Sequence, residues 1–238
     1  MTPAAKKAVQ DSGIIIGYKT YLYLIKNLIE GKEVISSGMR QEVDRCSKAI
    51  ELSLLGKKVA VICSGDPGIY AMAGLVFEIL QKSGDDKNNN CLPEIEVIPG
   101  IPALNACASR LGAPLMHDFA SISLSDLLTP WEVIERRLEA AASADFVLVI
   151  YNPKSKGRQT HINKARDIIL KFRQPQTPVG IVKAATRDNE RVIITDLKNM
   201  LDKEIDMQST VIVGNSQTFT WKDWMVTPRG YGEKYELE

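Results

Sequence analysis

The chain is organised around Val59-Ala-Val-Ile-Cys-Ser-Gly-Asp-Pro-Gly-Ile-Tyr-Ala-Met-Ala-Gly74. The first residues are a continuous apolar run, which is typical of a strand buried on both faces of a parallel sheet. Ser64–Gly68 predicts a sharp turn, and the small and apolar residues after it predict a helix. Ligands of open α/β sheets bind where strands turn into helices, because the turn exposes backbone N–H groups and the helix start adds positive potential. This turn is therefore the first candidate for a functional site.

The turn lacks the signatures of two common nucleotide-binding loops. It has neither the Gly-Lys-Ser/Thr ending of a phosphate loop nor the G-x-G-x-x-G pattern of a nicotinamide site. Gly65 and Gly68 allow close backbone approach or a positive φ, and Pro67 fixes φ near the first helical turn. Asp66 offers a carboxylate to hydroxyl groups or to a cation. The turn thus suits a ligand with donors rather than phosphates; the alternative is an ordinary turn in which Asp66 caps the helix.

Length and charge exclude several classes of protein. The chain has 238 residues, enough for one large domain or two ordinary ones. Its 30 basic and 29 acidic residues create no overall field that would attract nucleic acid or an anionic membrane. No apolar stretch approaches the roughly twenty residues of a membrane span. We expect a cytoplasmic protein with neither nucleic acid nor membrane as a partner.

The cysteines and histidines indicate no metal site. The four cysteines are scattered without a C-x-x-C pair, which argues against zinc and Fe–S centres and favours reduced, mostly buried thiols. They are Cys46, Cys63, Cys91 and Cys107. His117 and His161 stand alone in the sequence, and surface or helix-polar roles are favoured for both over metal binding or proton transfer.

The first half of the chain alternates strands and helices, which predicts a mostly parallel sheet covered on both faces. Strands are predicted at Gly13–Gly17, Glu33–Ser36, Val59–Cys63 and Glu94–Ile98. Helices are predicted at Thr20–Glu30, after the central turn, at Gln41–Leu55 and after Pro99–Pro102. In the helix Gln41–Leu55 the apolar residues Val43, Cys46, Ile50 and Leu54 share one face.

The second half predicts a mixed sheet. Predicted strands are Ala120–Asp126, Asp145–Ile150, Pro178–Ala184, Arg191–Thr195 and Thr210–Val213. Because a short polar turn joins the third and fourth of these, we expect an antiparallel hairpin. Thr129 is the predicted N-cap of a helix that ends at Ala142. Apolar periodicity stops near Gly112–Asp118, so we expect two α/β domains, residues 1–115 and 116–238.

Five motifs together resemble the tetrapyrrole methylase superfamily. They are Gly17-Tyr-Lys-Thr-Tyr21, Ser64-Gly-Asp-Pro-Gly68, Val97-Ile-Pro-Gly-Ile-Pro-Ala103, Ser121-Ile-Ser-Leu-Ser-Asp-Leu-Leu-Thr-Pro-Trp131 and Tyr151-Asn-Pro-Lys-Ser155. The first and fourth look like the precorrin-3B C-17-methyltransferase family of cobalamin biosynthesis, whose anaerobic counterpart acts on cobalt-factor III. The resemblance runs from about Thr2 to Phe219, and the motifs occur in the family's order.

The resemblance implies a two-domain α/β homodimer with an interdomain ligand cleft. S-adenosylmethionine, which leaves as S-adenosylhomocysteine, would bind in that cleft, and the flat tetrapyrrole would lie in an adjoining trough. By motif position, eight residues would contact the methyl donor: Gly65, Asp66, Pro67, Ile69, Pro102, Ala103, Asn152 and Ala185. Most of them fall at the three strand ends where the residues alone already predict ligand binding.

One family feature is missing from this sequence. The family opens with a glycine-rich first strand and turn, G-x-G-P-G, whereas Met1–Lys6 looks like the sequence that follows this turn. We expect either that the recorded start lies downstream of the true one, which is the favoured explanation, or that this form is shortened. Sequencing in frame upstream of the start codon distinguishes the two.

The expected chemistry is methyl transfer followed by ring contraction. Methyl transfer from a sulfonium needs alignment and exclusion of water rather than a catalytic triad. Contraction needs acid–base help, for which Asp126 and Ser125 are the candidates; the alternative is that Asp126 caps the next helix. Lys154 and Arg158 lie in a basic run that suits the substrate's carboxylate arms, or else form a solvated loop.

Tyr18 and Lys19, after the first strand, are candidates to face the substrate. The first alternative function is that of a superfamily methyltransferase with a different substrate or ring position. The second is a non-catalytic tetrapyrrole-binding remnant.

Overall fold

The structure is a computed structural model that describes residues 1–84 and 92–236. These residues form two compact units, Met1–Pro102 and Ala103–Glu238. The division lies earlier than the expected boundary at 115/116. The reason is that the fully buried side chain of Leu111, at the end of the helix Ala103–Leu111, lies directly over Gly180 in the second unit's sheet. Cys91 and the polar stretch before it lie outside the described residues.

The first unit has three parallel strands in the order β2-β1-β3. Its elements are α1 (Pro3–Asp11), β1 (Ile14–Tyr18), α2 (Lys19–Leu24), a 3₁₀ turn at Lys26–Leu28, β2 (Glu33–Ser37), α3 (Glu42–Leu54), β3 (Val59–Ile62) and α4 (Ala73–Gly84). In the register, Ile15 lies opposite Val34 on one side and Ala60 on the other. The expected parallel sheet is confirmed, and the carboxyl ends of all three strands lie along one edge.

β1 is the buried centre of this sheet. Ile15 is fully buried among Val9 and Leu22 on one face, whereas Ile16 packs with Ala49 of α3 on the other. Successive residues of a strand point to opposite faces, so a run of three isoleucines fills the core on both sides. This double burial explains why Ile14–Ile16 are all apolar.

Helices α1 and α3 of the first unit differ from the prediction. α1 lies before β1, where no element is predicted; Thr2 Oγ1 accepts a hydrogen bond from Ala5 N, and Pro3 occupies the first turn. In α3 the buried face is centred on Cys46 and Ala49, while Val43 and Leu54 are more than half exposed. The predicted face was therefore partly wrong, because apolar periodicity does not show how far a short sheet covers a helix.

The predicted strand Glu94–Ile98 does not form. Residues 92–102 contain neither strand nor helix, and β3 pairs with β1 alone among the described strands. Ile95 and Val97 are 38% and 45% exposed. The alternation of glutamates with Ile95 and Val97 has the strand period, but an isolated segment without a paired neighbour gains no ladder hydrogen bonds.

The second unit contains a mixed five-stranded sheet of order β5-β6-β9-β7-β8 and a small sheet of order β10-β11-β4. Its elements are α5 (Ala103–Leu111), β4 (Gly112–Ala113), β5 (Phe119–Ser123), α6 (Trp131–Ser143), β6 (Val147–Tyr151), α7 (His161–Ile169), β7 (Pro178–Lys183), β8 (Arg191–Asp196), a 3₁₀ turn at Met200–Asp202, β9 (Ser209–Val213), β10 (Phe219–Trp221), β11 (Trp224–Val226) and α8 (Tyr231–Lys234). The mixed sheet and the β7–β8 hairpin are confirmed.

Strand directions in the larger sheet determine where a site can form. β5 is parallel to β6, and β9 is antiparallel to both β6 and β7. β5, β6 and β7 therefore run in the same direction and end at one edge of the sheet. The strand β6 is fully buried over Val147–Ile150, so its end is held rigidly by the core.

Burial also sets the state of the cysteines. Cys46 and Cys107 are buried and Cys63 is half-buried, and all three are free thiols. Burial raises the pKa of Cys46 and of Cys107 to about 11. Among the described residues, every helix is too short or too polar to cross a membrane.

Candidate active site

The turn after β3 is fixed by its own carboxylate. Asp66 Oδ1 accepts a hydrogen bond from Gly68 N at 2.8 Å, and Asp66 Oδ2 accepts one from Gly100 N at 3.0 Å. Gly65 has φ +80°, and a Cβ atom at Gly100 would collide with the Gly65 carbonyl oxygen. Both glycines are thus required where the two backbone segments approach each other.

Asp66 is predicted to be either a ligand-binding group or a helix cap, and the helix-cap alternative is wrong. α4 begins only at Ala73, so Asp66 does not cap it, and residues 64–72 form a turn at 67–68 flanked by bends instead of an immediate helix. Asp66 holds the backbone of its own turn and of Gly100. Pro67, Ile69 and Pro102, all half-buried, lie in these same two segments.

Tyr18 and Lys19 lie at the same edge of the first sheet as this turn, because β1 and β3 are parallel and end together. Tyr18 is half-buried and its ring packs edge-on against Tyr21 at 5.2 Å between ring centroids. Lys19 is exposed. The structure thus places both residues at the same edge of the sheet as the Ser64–Gly68 turn, and their contact with a substrate stays a prediction.

A buried arginine that sequence reasoning missed supports this edge. Arg45 is 4% exposed and donates from Nε to Ser37 Oγ at 2.7 Å and from Nη2 to Gly38 O at 2.9 Å. Its Nη1 lies 3.0 Å from Met72 Sδ. Arg45 therefore joins the end of β2 to the residue just before α4. The signal in the sequence for its burial is its position next to Cys46, which lies on the predicted apolar face of this helix.

In the second unit, two strand ends and a helix start are tied together. Tyr151, the last residue of β6, accepts a hydrogen bond on its hydroxyl from Leu104 N at 2.8 Å, in the first turn of α5. Asn152 follows with φ +51° and donates from Nδ2 to Ser123 Oγ at 2.9 Å. The predicted residues Ala103 and Asn152 thus lie on elements that Tyr151 and Ser123 hold in place.

The end of β7 has an unusual backbone on either side of Ala185. Ala184 has φ +49° and Thr186 has φ +64°, a region that residues with a Cβ rarely adopt. Glu190 stabilises this turn, because its Oε2 accepts from Thr186 N and from Arg110 Nε, the latter at 2.9 Å. The hydrogen bond from Thr186 lowers the pKa of Glu190, so its carboxylate stays charged at neutral pH. Ala185 lies at the same sheet edge as Asn152.

Asp126 lies beyond β5 and caps no helix. The N-cap of α6 is Pro130, without a side-chain hydrogen bond, so the capping interpretations of Asp126 and of Thr129 are both wrong. Asp126 instead contacts His161, whose Nε2 lies 3.0 Å from Asp126 Oδ2, and Arg158, whose Nη1 lies 3.6 Å from Asp126 Oδ1. His161 is the residue of this cluster that sequence reasoning missed, since nothing local relates it to a carboxylate 35 positions earlier.

Arg158 connects the loops of this cluster instead of reaching into solvent. Its side chain is only 11% exposed; it donates from Nη1 to Ser125 Oγ at 3.1 Å and from Nη2 to Asn152 O at 3.4 Å. We therefore assign Arg158 to positioning the loops, and its binding of substrate carboxylates stays a prediction. Lys154, half-buried in the same loop, keeps the same status.

The electrostatics of the cluster favour an ionised carboxylate. Partial burial raises the pKa of Asp126, but the hydrogen bond from His161 and the nearby charge of Arg158 outweigh this effect. The pKa of Asp126 therefore lies below its ordinary value. At neutral pH this group accepts hydrogen bonds and protons and does not donate them.

Comparison with known proteins identifies the family. The family model of the Tetrapyrrole (Corrin/Porphyrin) Methylases matches residues 1–201. This chain is a tetrapyrrole methylase. The resemblance inferred from the five motifs is thereby confirmed.

Curated tetrapyrrole methylases with similar sequences carry specific names. The chain is 56% identical to the cobalt-factor III methyltransferase of Priestia megaterium over all of its own length, but spans only 44% of that protein. It is 51% identical to the probable cobalt-factor III C(17)-methyltransferase of Salmonella typhimurium strain LT2, with 97% of this chain and 93% of that protein covered. A precorrin-3B C(17)-methyltransferase of Sinorhizobium is 38% identical, with 97% and 91% covered.

Solved structures agree with this assignment. The methyltransferase CobJ matches with a TM-score of 0.87 and 35% identity, over 96% of this chain and 93% of that one. A uroporphyrin-III C-methyltransferase from Thermus thermophilus, solved with S-adenosylhomocysteine, matches with a TM-score of 0.66 and 21% identity, over 90% of each chain. The second likeness shows the fold alone.

Proposed function

We propose that this tetrapyrrole methylase methylates C-17 of cobalt-factor III, with contraction of the ring, in cobalamin biosynthesis. The observation that carries the proposal is the 51% identity to a probable cobalt-factor III C(17)-methyltransferase, because it extends over nearly the full length of both chains. Cobalt-factor III is preferred to precorrin-3B because the relative named for precorrin-3B is less similar, at 38% identity.

We propose S-adenosylmethionine as the methyl donor, with S-adenosylhomocysteine as its product. Predicted contact residues of both units lie in turns that follow a strand, namely Gly65 after β3, Asn152 after β6 and Ala185 after β7, and Gly65, Asn152 and Ala184 have a positive φ. Backbone groups in such turns suit a ligand with hydroxyl and amino donors and no phosphate. When bound, this donor supplies a methyl group activated on a positively charged sulfur.

The chain's own residues orient the reactants, and this suffices for the first step. Alignment of a methyl group with a nucleophilic carbon and exclusion of water supply most of the rate that such a transfer needs. Gly65, Asp66, Pro67, Ile69 and Pro102 are the proposed donor contacts of the first unit. In the second unit the proposed contacts are Ala103, Asn152 and Ala185.

For the ring contraction we propose Asp126 as proton acceptor and Ser125 as hydrogen-bond donor. Ser125 Oγ accepts from Arg158 Nη1, which leaves its own proton available for an oxygen of the substrate. The carboxylate of Asp126 is 41% exposed beside it. One charged acceptor and one neutral donor thus lie on adjacent residues.

Incubation with S-adenosylmethionine and cobalt-factor III tests the function directly. We expect S-adenosylhomocysteine, a mass gain of one methyl group, and the absorption change of a contracted ring, with slower turnover of precorrin-3B. Methylation at another carbon would overturn the C-17 assignment. Binding of the donor in calorimetry without any turnover would favour a non-catalytic tetrapyrrole-binding protein.

We also propose that the enzyme works as a cytoplasmic homodimer with its tetrapyrrole substrate as the small-molecule partner. This assembly follows from the resemblance to the methyltransferase family. Light scattering of the purified chain is expected to give twice the mass of one chain, and a monomer mass would contradict the proposal.

A further inference from the structure

His161 contacts Asp126 through one nitrogen and is held by packing elsewhere. Its Nε2 lies 3.0 Å from Asp126 Oδ2, and its side chain is 14% exposed. The ring meets Trp131 edge-on, with 4.5 Å between centroids and planes at 82°. His161 Nδ1 is buried and has no hydrogen-bond partner among the described residues. The ring therefore has a single polar contact, and that contact is Asp126.

The direction of this hydrogen bond follows from the charge of the carboxylate. An ionised carboxylate only accepts hydrogen bonds, so the proton of the contact is on His161 Nε2. Nδ1 is buried and has no hydrogen-bond partner among the described residues, so it is kept from substrate and solvent. His161 is consequently placed to hold Asp126 and not to exchange a proton itself.

The other groups around Asp126 leave part of the carboxylate open. Arg158, from the loop before α7, lies at 3.6 Å from Oδ1 and is shared with Ser125 and Asn152. Lys164, one turn along α7, lies over the Trp131 ring at 5.2 Å from its centroid. Among the described residues, His161 and Arg158 are the charged or titratable partners of Asp126, and its side chain remains 41% exposed at the end of β5.

We propose that His161 is a positioning residue, which fixes the Asp126 carboxylate by donating from Nε2 so that the exposed oxygen takes the proton that the substrate loses during ring contraction. In this step the substrate's bond to that hydrogen breaks, its electron pair stays on the substrate, and a new O–H bond forms on Asp126. His161 keeps its own proton throughout. The inference rests on the proposed function and deepens the role given there to Asp126.

Substitutions at His161 separate positioning from packing. His161→Phe keeps a ring against Trp131 but removes the donor, whereas His161→Gln keeps an amide donor of similar reach. His117→Phe is the matched control, because His117 is exposed and makes no contact with Asp126. If His161→Phe does not fold, His161→Asn replaces it, since the shorter amide is polar but does not reach Asp126.

Two readouts test the inference, and only one depends on activity. The first is the pH titration of the Asp126 carboxyl carbon by NMR, assigned with Asp126→Asn. The pKa of Asp126 is expected to rise in His161→Phe and to return towards that of the parent in His161→Gln, since a lost donor destabilises the charged form. An unchanged titration in His161→Phe would overturn the inference.

The second readout is single-turnover kinetics of the two chemical steps. Ring contraction in His161→Phe is expected to slow about 10-fold or more, at the lower end of what acid–base groups supply, while methyl transfer changes little. Rescue by His161→Gln is expected. Equal slowing of both steps would assign His161 to packing alone. If no methyl transfer occurs even in the parent, the proposed function fails, and the NMR titration still decides the role of His161.

Discussion

Asp126 illustrates how a single side chain acquires a role from its partners. His161 and Arg158 stabilise its charged form, and 41% of the side chain remains exposed at a strand end. A carboxylate that only caps a helix would have its oxygens turned towards backbone N–H groups. The distinction bears on the chemistry, because a carboxyl group with a lowered pKa is ionised at neutral pH, where it has no proton to donate and can only accept one.

Asp126→Asn tests the acceptor role. The amide keeps size and polarity but cannot take a proton, so we predict that methyl transfer persists while ring contraction slows about 100-fold, as for loss of a general base. Mass spectrometry and absorption follow the two products. Asp118→Asn serves as control, since the Asp118 side chain is 81% exposed. Unchanged contraction in a folded Asp126→Asn protein would exclude Asp126 as the acid–base group.

At the level of secondary-structure elements, β6 and α5 are joined by the hydrogen bond between Leu104 N and the Tyr151 hydroxyl. The N–H groups in the first turn of a helix have no partner within the helix. Tyr151 satisfies one of them and at the same time sets the distance between Ala103 and Asn152. The tie therefore affects two of the proposed donor contacts.

Tyr151→Phe removes the tie without changing the ring. We predict a loss of about 1 kcal/mol in the free energy of unfolding, typical of one hydrogen bond, and a several-fold higher KM for S-adenosylmethionine with little change in kcat. Urea unfolding and initial rates measure the two effects. Tyr231→Phe, at an exposed tyrosine, is the control. A stability loss with an unchanged KM would limit Tyr151 to a structural role.

The segments that approach each other at Gly65 and Gly100 provide a second element-level test. In Gly100→Ala the new Cβ would collide with the Gly65 carbonyl oxygen, so we predict a loss of about 1–3 kcal/mol, as for overpacking. Gly74→Ala is the matched control, because nothing lies within 4 Å of that site in α4 and alanine favours a helix by roughly 0.5–1 kcal/mol. Thermal unfolding compares them; equal stability would contradict the close approach.

Elements with a strong local signal were predicted well, and those that depend on neighbours were not. β1, α3 and the β7–β8 hairpin follow from apolar periodicity and turn residues, and the structure confirms them. Glu94–Ile98 has an equally clear strand period but forms no strand. A strand also needs a neighbouring strand to pair with, and the periodicity of one segment does not predict whether such a neighbour is in place.

At the scale of the whole molecule, an ion-pair network links β7 to the segment before β9. Lys183 Nζ lies 2.5 Å from Glu204 Oε1 and 2.6 Å from Asp206 Oδ2, and Arg191 Nη1 lies 2.6 Å from Glu204 Oε2. The hydrogen bond from Lys183 lowers the pKa of Glu204. Burial raises the pKa of Asp206, but the hydrogen bonds that Asp206 accepts, among them the one from Lys183, outweigh burial and lower its pKa. The pKa of Lys183 is raised by the same carboxylates.

These shifts predict how stability depends on pH. A carboxyl group whose pKa is lower in the folded than in the unfolded protein stabilises the fold at pH values above its unfolded pKa, which is 4.5 for Glu204 and 3.8 for Asp206. That stabilisation is lost as the pH falls through the lower pKa of the folded protein. The raised pKa of Lys183 stabilises below 10.5 and is lost as pH rises past its folded value. We predict that Lys183→Met lowers the urea midpoint of unfolding at pH 7. The difference in midpoint between this variant and the parent is expected to shrink towards both acidic and alkaline pH.

Lys203→Met is the control for this prediction, because Lys203 is exposed and its removal leaves the network intact. Its urea midpoints are expected to follow those of the parent at every pH. A Lys183→Met curve that runs parallel to the parent would mean that the network contributes nothing through its charges, as is common for exposed pairs.

The sequence alone determines the α/β class, the parallel first sheet, the mixed second sheet and the turns at Ser64–Gly68 and after β6. These features depend on apolar periodicity and turn chemistry, which act over a few neighbouring residues. The sequence also contains the five motifs that identify a tetrapyrrole methylase. Folding alone brought His161 to Asp126, buried Arg45 against Ser37, and placed Ala103 with the second unit. His161 and Asp126 are 35 positions apart, and Arg45 and Ser37, although only 8 apart, lie on a helix and on a strand; hydrogen bonds between such residues depend on how the elements pack, which no local pattern predicts.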